Sequence, residues 1–449
     1  MLLTTLVLAP FVGSLLAALM PQDARNRESW LAIGVTVCGL LIGGLLFPQV
    51  ASGEVVRTEF AWLPAMGLNF ALRVDGLAWI FSMLVLAIGL LVVLYARYYM
   101  SAEDPVPRFF SFLLAFMGSM LGVVLSGNLV QLVVFWELTS LTSFLLIGYW
   151  HHRADARRGA RMAFTVTATG GLCLLVGVLL VGHIVGSYDL DAVLAAGDTI
   201  RAHALYLPAL VLVALGALTK SAQFPFHFWL PHAMAAPTPV SSYLHSATMV
   251  KAGVFLLVRL WPALAGTPEW TWLIGGAGVC TLLIGAFIAI FQHDLKGLLA
   301  YSTISHLGLI TVLIGIGTPM AIVAAIFHIL NHAVFKASLF MAVGIIDHGC
   351  GTRDMRPFGA CAIPCRSRPR WPLWRVRQWR ACPCSTDSCP RRCSLPKQPW
   401  LAGIRIGPCP WQRWPWASLA LRTRFVSSRC SLALRRRIFR KSRTNHRTG

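Results

Sequence analysis

The 449-residue sequence predicts an all-α polytopic membrane protein of about 11 transmembrane helices, the seventh of them broken. Three observations carry that reading. Hydrophobic residues make up 56% of the chain and charged ones only 12%, about half the charged share of a soluble domain. Apolar runs of about 20 residues, each long enough to cross a bilayer as a helix, recur through residues 1–346. Prolines at 225, 231, 237 and 239 follow Lys220, the first of them inside the same run, and proline breaks a helix by removing an N–H and clashing with the preceding turn.

Taken in order, the first run, MLLTTLVLAPFVGSLLAALM, lacks a basic start and a cleavage site, so it reads as a retained span over 1–20 rather than a signal peptide. Uninterrupted apolar stretches place spans near 29–49, 74–97 and 109–126, and a fifth over 128–149 contains Glu137. The sixth, 160–184, follows an arginine cluster; the seventh, 205–229, contains Lys220 and Pro225. Spans near 239–261, 271–291, 296–316 and 319–346 complete the series. Arg25 and Arg27, Arg97 and Arg108, Arg153, Arg157, Arg158 and Arg161, and then Lys296 fall on alternate connections. The positive-inside rule sets that side in the cytoplasm and the amino terminus outside.

The net charge of +22 does not describe the helical part, because residues 1–350 hold 16 Lys/Arg against 15 Asp/Glu. A nucleic-acid role is therefore not indicated there. The informative charges lie at membrane depth, where each costs roughly 2.5–3.5 kcal/mol on insertion scales and tends to serve an ion path. They are Glu137, Lys220, His245, Lys251, Lys296, His328, His332 and Lys336. His328, His332 and Lys336 are spaced i, i+4, i+8 and share a helical face, while Tyr301 and His306 follow Lys296 in the tenth span. Neutral histidine both donates and accepts a proton, which suits a relay. Blander roles exist for single members: a helix–helix hydrogen bond for one Glu or His, snorkelling for Lys251, a metal pair for His328 and His332. No third ligand completes a metal set, and the whole row carries too high an insertion cost to be incidental.

The stretches FWELTSLTSFLLIGYW, TKSAQFPFHFWLPHAMAAPTPVSSYLHSATMVKAG, HDLKGLLAYSTISHLG and FHILNHAVFKASLFMAVG cover most of residues 110–350. In them the sequence resembles the large A-type component of Mrp-type multisubunit monovalent cation/proton antiporters, relatives of the antiporter-like proton-pumping subunits of respiratory complex I. His232 departs from the pattern, standing where many relatives have Asp. The resemblance implies an inverted-repeat antiporter-like bundle of two five-helix units, each with a broken helix. It divides the chain into N-terminal helices (1–108), a first repeat (109–270) and the start of a second (271–350). It also implies a Glu137–Lys220 pair continued by the other six residues as a proton/cation path. Partner membrane subunits of a hetero-oligomeric complex in a bacterial inner membrane, and exchange of H+ for Na+ or K+, follow from it. So does a transporter rather than an enzyme, with no cofactor and no metal. The alternative is a proton-translocating subunit of an NADH:quinone oxidoreductase-type complex.

Residues 351–449 are a different text. They hold 23 Lys/Arg, eight of the twelve cysteines and seven of the sixteen tryptophans. CPCSTDSCPRRC matches no common ligand spacing. Codons compatible with Cys382–Ser394, read one nucleotide earlier, spell VPLLNGFLSKEMF, which resembles the family segment holding the lysine of the second broken helix. The expectation is that residues from about 356 onward are a frameshifted, disordered tail and that the second half of the path is truncated. Sequencing the gene decides it, since an intact frame without a family-like alternative removes the idea.

Overall fold

A computed structural model describes residues 1–21, 25–63, 68–101 and 104–356; the expected frameshifted tail lies outside the described residues. The helices run α1 (Leu2–Ala18), α2 (Arg25–Ala51), α3 (Gly76–Tyr99), α4 (Val106–Leu125), α5 (Leu129–Ile147) and α6 (Ala154–Val185). Short α7 (Leu190–Ala195) and α8 (Gly197–Ala202) lead into α9 (Tyr206–Lys220), α10 (Trp229–His232), α11 (Thr238–Ser246) and α12 (Met249–Leu264). Then come α13 (Pro268–Trp270), joined through a π turn to α14 (Gly276–Ile290), α15 (Leu295–Ile316) and α16 (Pro319–Cys350). Among the described residues nine helices are long and apolar enough to cross a membrane. Two shorter apolar helices, Leu2–Ala18 and Tyr206–Lys220, occupy the first and seventh places. That makes the eleven crossings expected from hydropathy.

Local chemistry sets the ends. Asp75, Asn128, Asp294 and Thr318 cap α3, α5, α15 and α16 by accepting from first-turn N–H groups, which satisfies donors a helix start leaves free. Gly186, Gly317 and Gly351 close α6, α15 and α16 in the left-handed conformation, the usual helix stop.

Two features depart from the hydropathy picture. Arg57 and Arg73, between the second and third predicted spans, lie on an antiparallel hairpin of β1 (Val56–Leu63) and β2 (Leu68–Val74), with Val56 opposite Val74 and Phe60 opposite Phe70. VRTEFAWL runs from polar Arg57–Glu59 to apolar Phe60–Leu63, so it lacks the strict alternation that marks a half-buried strand, and it is short beside the apolar runs around it. The eighth crossing is also interrupted: α11 ends at Ser246 and α12 begins at Met249, with Thr248 at φ −125°, ψ −92°. No proline marks that break in sequence.

The seventh crossing breaks where Pro225 predicts. Ala222 takes a positive φ of 48°, and the Gln223 N–H turns back to the Leu218 carbonyl at 2.9 Å. Short helical turns then carry the chain from Phe226 to Ala235.

Candidate functional site: a buried row of amines and imidazoles

Glu137 and Lys220 meet where α5, α6 and α9 converge. The Lys220 Nζ donates to the Trp136 carbonyl at 3.0 Å and to Ser140 Oγ at 2.7 Å, and lies 5.2 Å from the centre of the Trp136 ring. Glu137 is half-buried. Its Oε1 is buried without a hydrogen-bond partner and points at Gly171 of α6, where a Cβ would overlap it. The neighbouring Gly170 similarly admits Thr219 of α9. Small residues let membrane helices approach closely, and here they make room for the carboxylate and the turn before Lys220. The two charges feel each other without forming an ion pair.

The row continues through the broken eighth crossing. His245 is fully buried, with neither ring nitrogen bonded to protein. Its ring sits 6.3 Å from Trp229 and 6.4 Å from Phe340. The Lys251 Nζ donates to the Ser246 carbonyl and, at 3.0 Å, to that of Ile329. Ser246 ends α11, so its carbonyl is one that an unbroken helix would have occupied. The break thus creates the acceptor, and snorkelling of Lys251 is ruled out by its complete burial. Lys296 uses the same device, donating at 2.9 Å to the carbonyl of Ala236, just before Pro237.

On α15 and α16, His306 Nδ1 lies 3.1 Å from His328 Nε2, and the rings stack at 5.2 Å. His332 follows, its ring 5.4 Å from that of His306, fully buried and with both nitrogens lacking a protein partner. Lys336 then donates to the Leu299 carbonyl at 3.2 Å. The expected face of His328, His332 and Lys336 is therefore turned inward at His332 and Lys336, with His328 half-buried. His306, which the sequence places after Lys296 in the tenth span, stands against both His328 and His332. No group of three metal-ligating side chains is found among the described residues.

All four lysines are at most 2% exposed, and none forms an ion pair among the described residues. Their acceptors are neutral. If all four carried charge, insertion would cost on the order of 10 kcal/mol, against about 0.6 kcal/mol returned by each interhelical hydrogen bond.

At the opposite end of the bundle from the α5–α6 loop the charges are paired. Asp75 takes Arg73 at 2.5 Å and both guanidinium nitrogens of Arg259, while Asp191 takes Arg73 at 2.9 Å and Arg57. This network joins the hairpin, α3, α7 and α12. Burial pushes the Asp75 carboxyl up, but the Arg259 hydrogen bond and charge, the Ala78 N–H and Arg73 outweigh it and hold it well below the usual carboxylate range. Arg57, Arg73, Arg259 and Asp191 are each visible in the sequence, which does not pair them.

Fold and site together define a polytopic helical membrane protein built around interrupted helices and a buried ionisable row. The chain belongs to the family described as NADH:quinone oxidoreductase/Mrp antiporter, TM, whose model matches residues 126–362. Residues 62–110 match the amino-terminal model of NADH-ubiquinone oxidoreductase (complex I) chain 5. The A/B component of a probable K(+)/H(+) antiporter of Rhizobium meliloti (strain 1021) is 68% identical over 358 residues, 80% of this chain and 36% of the relative. The A component of a Na(+)/H(+) antiporter of Alkalihalophilus pseudofirmus is 48% identical over 368 residues, 78% of this chain and 46% of the relative. The solved Mrp complex from Dietzia sp. DQ12-45-1b contains a chain with TM-score 0.71 and 39% identity, covering 79% of this chain and 38% of that one. The chain thus spans less than half the length of these relatives.

Proposed function

We propose that this chain is a membrane subunit of a multisubunit Na+(K+)/H+ antiporter in a bacterial cell membrane, with its amino terminus outside. The observation that carries the reading is the row from Glu137 and Lys220 through His245, Lys251, Lys296, His328 and His332 to Lys336, whose four lysines are buried on neutral acceptors, those of Lys251 and Lys296 including carbonyls freed at helix breaks. Glu137 is the carboxyl whose proton affinity responds to the Lys220 amine; the imidazoles and remaining amines pass protons onward. The sequence relatives support a monovalent cation as the exchanged ion, since one is named for K(+)/H(+) and another for Na(+)/H(+) exchange. Other membrane subunits complete the transporter, and the redox chemistry of complex I has no part in this chain. Residues 109–270 and 271–350 act as the first repeat and the opening of the second.

The test is cation/proton exchange in membrane vesicles from cells expressing this chain with its partner subunits. Glu137→Ala abolishes exchange while the chain still inserts. Unchanged exchange with normal insertion defeats the reading.

A further inference from the structure

A cavity of about 340 Å³ opens at the end of the bundle that carries the α5–α6 loop. Its wall brings together Tyr99 from the end of α3, Trp150 and Arg153 from that loop, Lys296 from the first turn of α15, and Asp347 and Arg353 from the end of α16. Lys220, Lys251 and Lys336 do not line it. Of the buried lysines, Lys296 therefore meets a polar, solvent-sized space.

The charged groups around Lys296 are Arg353, Asp347, Asp294 and Arg153. Three are engaged elsewhere. Asp294 caps α15 through the Gly297 N–H at 2.8 Å and pairs with Arg353 at 3.5 Å. Arg153 pairs with Asp155 at 2.6 Å and lies over the Trp150 ring at 5.5 Å. The half-buried side chain of Asp347 has no hydrogen bond or ion pair among the described residues. Tyr95 and Tyr99 are its other polar neighbours, with His348 against Tyr99 at 4.3 Å between rings.

We propose that this cavity is the water-filled port of the buried row, with Asp347 the carboxyl that exchanges protons between solvent and the Lys296 amine. A proton from water neutralises the Asp347 carboxylate. The carboxyl then hands it to the free amine, which becomes an ammonium as the carboxylate is regenerated. Nothing else in the cavity wall offers an uncommitted acid to do this. The inference rests on the ion-translocating reading above and names the place where that path meets one aqueous face.

The test uses the full chain in sealed vesicles of both orientations, with membrane-impermeant sulfosuccinimidyl acetate as the amine probe and mass spectrometry to map the sites. Lys296 is expected to be acetylated from the face bearing the α5–α6 loop at least about tenfold faster than Lys220, Lys251 and Lys336, whose amines react once the chain is unfolded. Asp347→Asn is expected to move the pH midpoint of Lys296 labelling about one to three units lower, the scale of one charge about 12 to 4 Å away at an effective dielectric of 20; Asp347→Glu restores it. Equal protection or equal labelling of all four lysines overturns the port, and an unmoved midpoint in Asp347→Asn overturns the role of Asp347. Absent Lys296 labelling beside exchange that Glu137→Ala abolishes refutes the port alone. Labelling as expected beside exchange indifferent to Glu137→Ala refutes the translocation reading and reduces the cavity to solvent access.

Discussion

Lys220 is bonded to the residue just before Glu137 and to the one three places after it, yet it makes no ion pair with Glu137 itself. The amine is held by the Trp136 carbonyl at 3.0 Å and Ser140 Oγ at 2.7 Å, while Glu137 Oε1 turns towards Gly171. A contact ion pair in a low-dielectric site would fix both protonation states. Held apart but within range of each other's field, the two groups are not locked together as a contact pair.

Ser140→Ala tests that separation. Losing one hydrogen bond costs about 1 kcal/mol of stability and frees the amine to swing onto the carboxylate. Exchange is expected to slow about tenfold, equivalent to about 1.4 kcal/mol of added pairing, while the chain still inserts. An unchanged rate in vesicles shows that the hydroxyl does not hold the amine away.

Gly171→Ala places a methyl where Glu137 Oε1 now lies. Overpacking of this kind costs roughly 1–3 kcal/mol, and here it also displaces the carboxyl from its slot. Glu137→Ala empties the slot, so the double variant recovers most of the lost thermal stability although it still cannot exchange. A double-mutant cycle on unfolding temperature measures this coupling; additive losses would show that the glycine is not there for the acid.

Much of this site was legible in the sequence because insertion cost makes a polar residue in an apolar run conspicuous. Glu137, Lys220 and the i, i+4, i+8 series on α16 stand out for that reason, and Pro225 announces the break after Lys220. The break at Ala247–Thr248 was not legible. It carries no proline, yet it frees the Ser246 carbonyl for Lys251. Gly170 and Gly171 were equally silent, since among 38 glycines only the neighbour across the interface distinguishes a slot from a spacer. The hairpin charges were visible individually, but pairing Asp75 with Arg259, 184 residues apart, requires the fold.

His332→Leu separates function from stability. Both ring nitrogens of His332 lack a protein partner in a fully buried setting, and an unsatisfied buried polar group costs about 1–3 kcal/mol. An apolar side chain of similar size should leave thermal stability unchanged or raise it by up to a few degrees. Exchange should fall about 100-fold, the lower range for loss of a proton-transferring group. A large loss of stability, with exchange surviving in the folded fraction, assigns the imidazole to structure.

Asp75→Asn addresses the far end of the bundle. Asp75 accepts from Arg73, Arg259 and the Ala78 N–H, and Arg259 is only 5% exposed, so removing the carboxylate charge strands a buried guanidinium. Breaking a fully buried pair costs 3–5 kcal/mol; with 21% of the Asp75 side chain exposed, about 2 kcal/mol is expected. The sign of the pH dependence follows from the native carboxyl lying below its unfolded value. The unfolded state takes up the proton first, near pH 4, so the stabilising contribution is complete above that point and declines as pH falls towards the depressed native value. Unfolding temperatures of the wild type and Asp75→Asn should therefore differ by a constant amount from neutrality down to about pH 5 and converge only in stronger acid. Convergence near neutrality, where the carboxylate is still fully ionised in both states, would mean that the hairpin is held to α3 and α12 by packing and not by this charge.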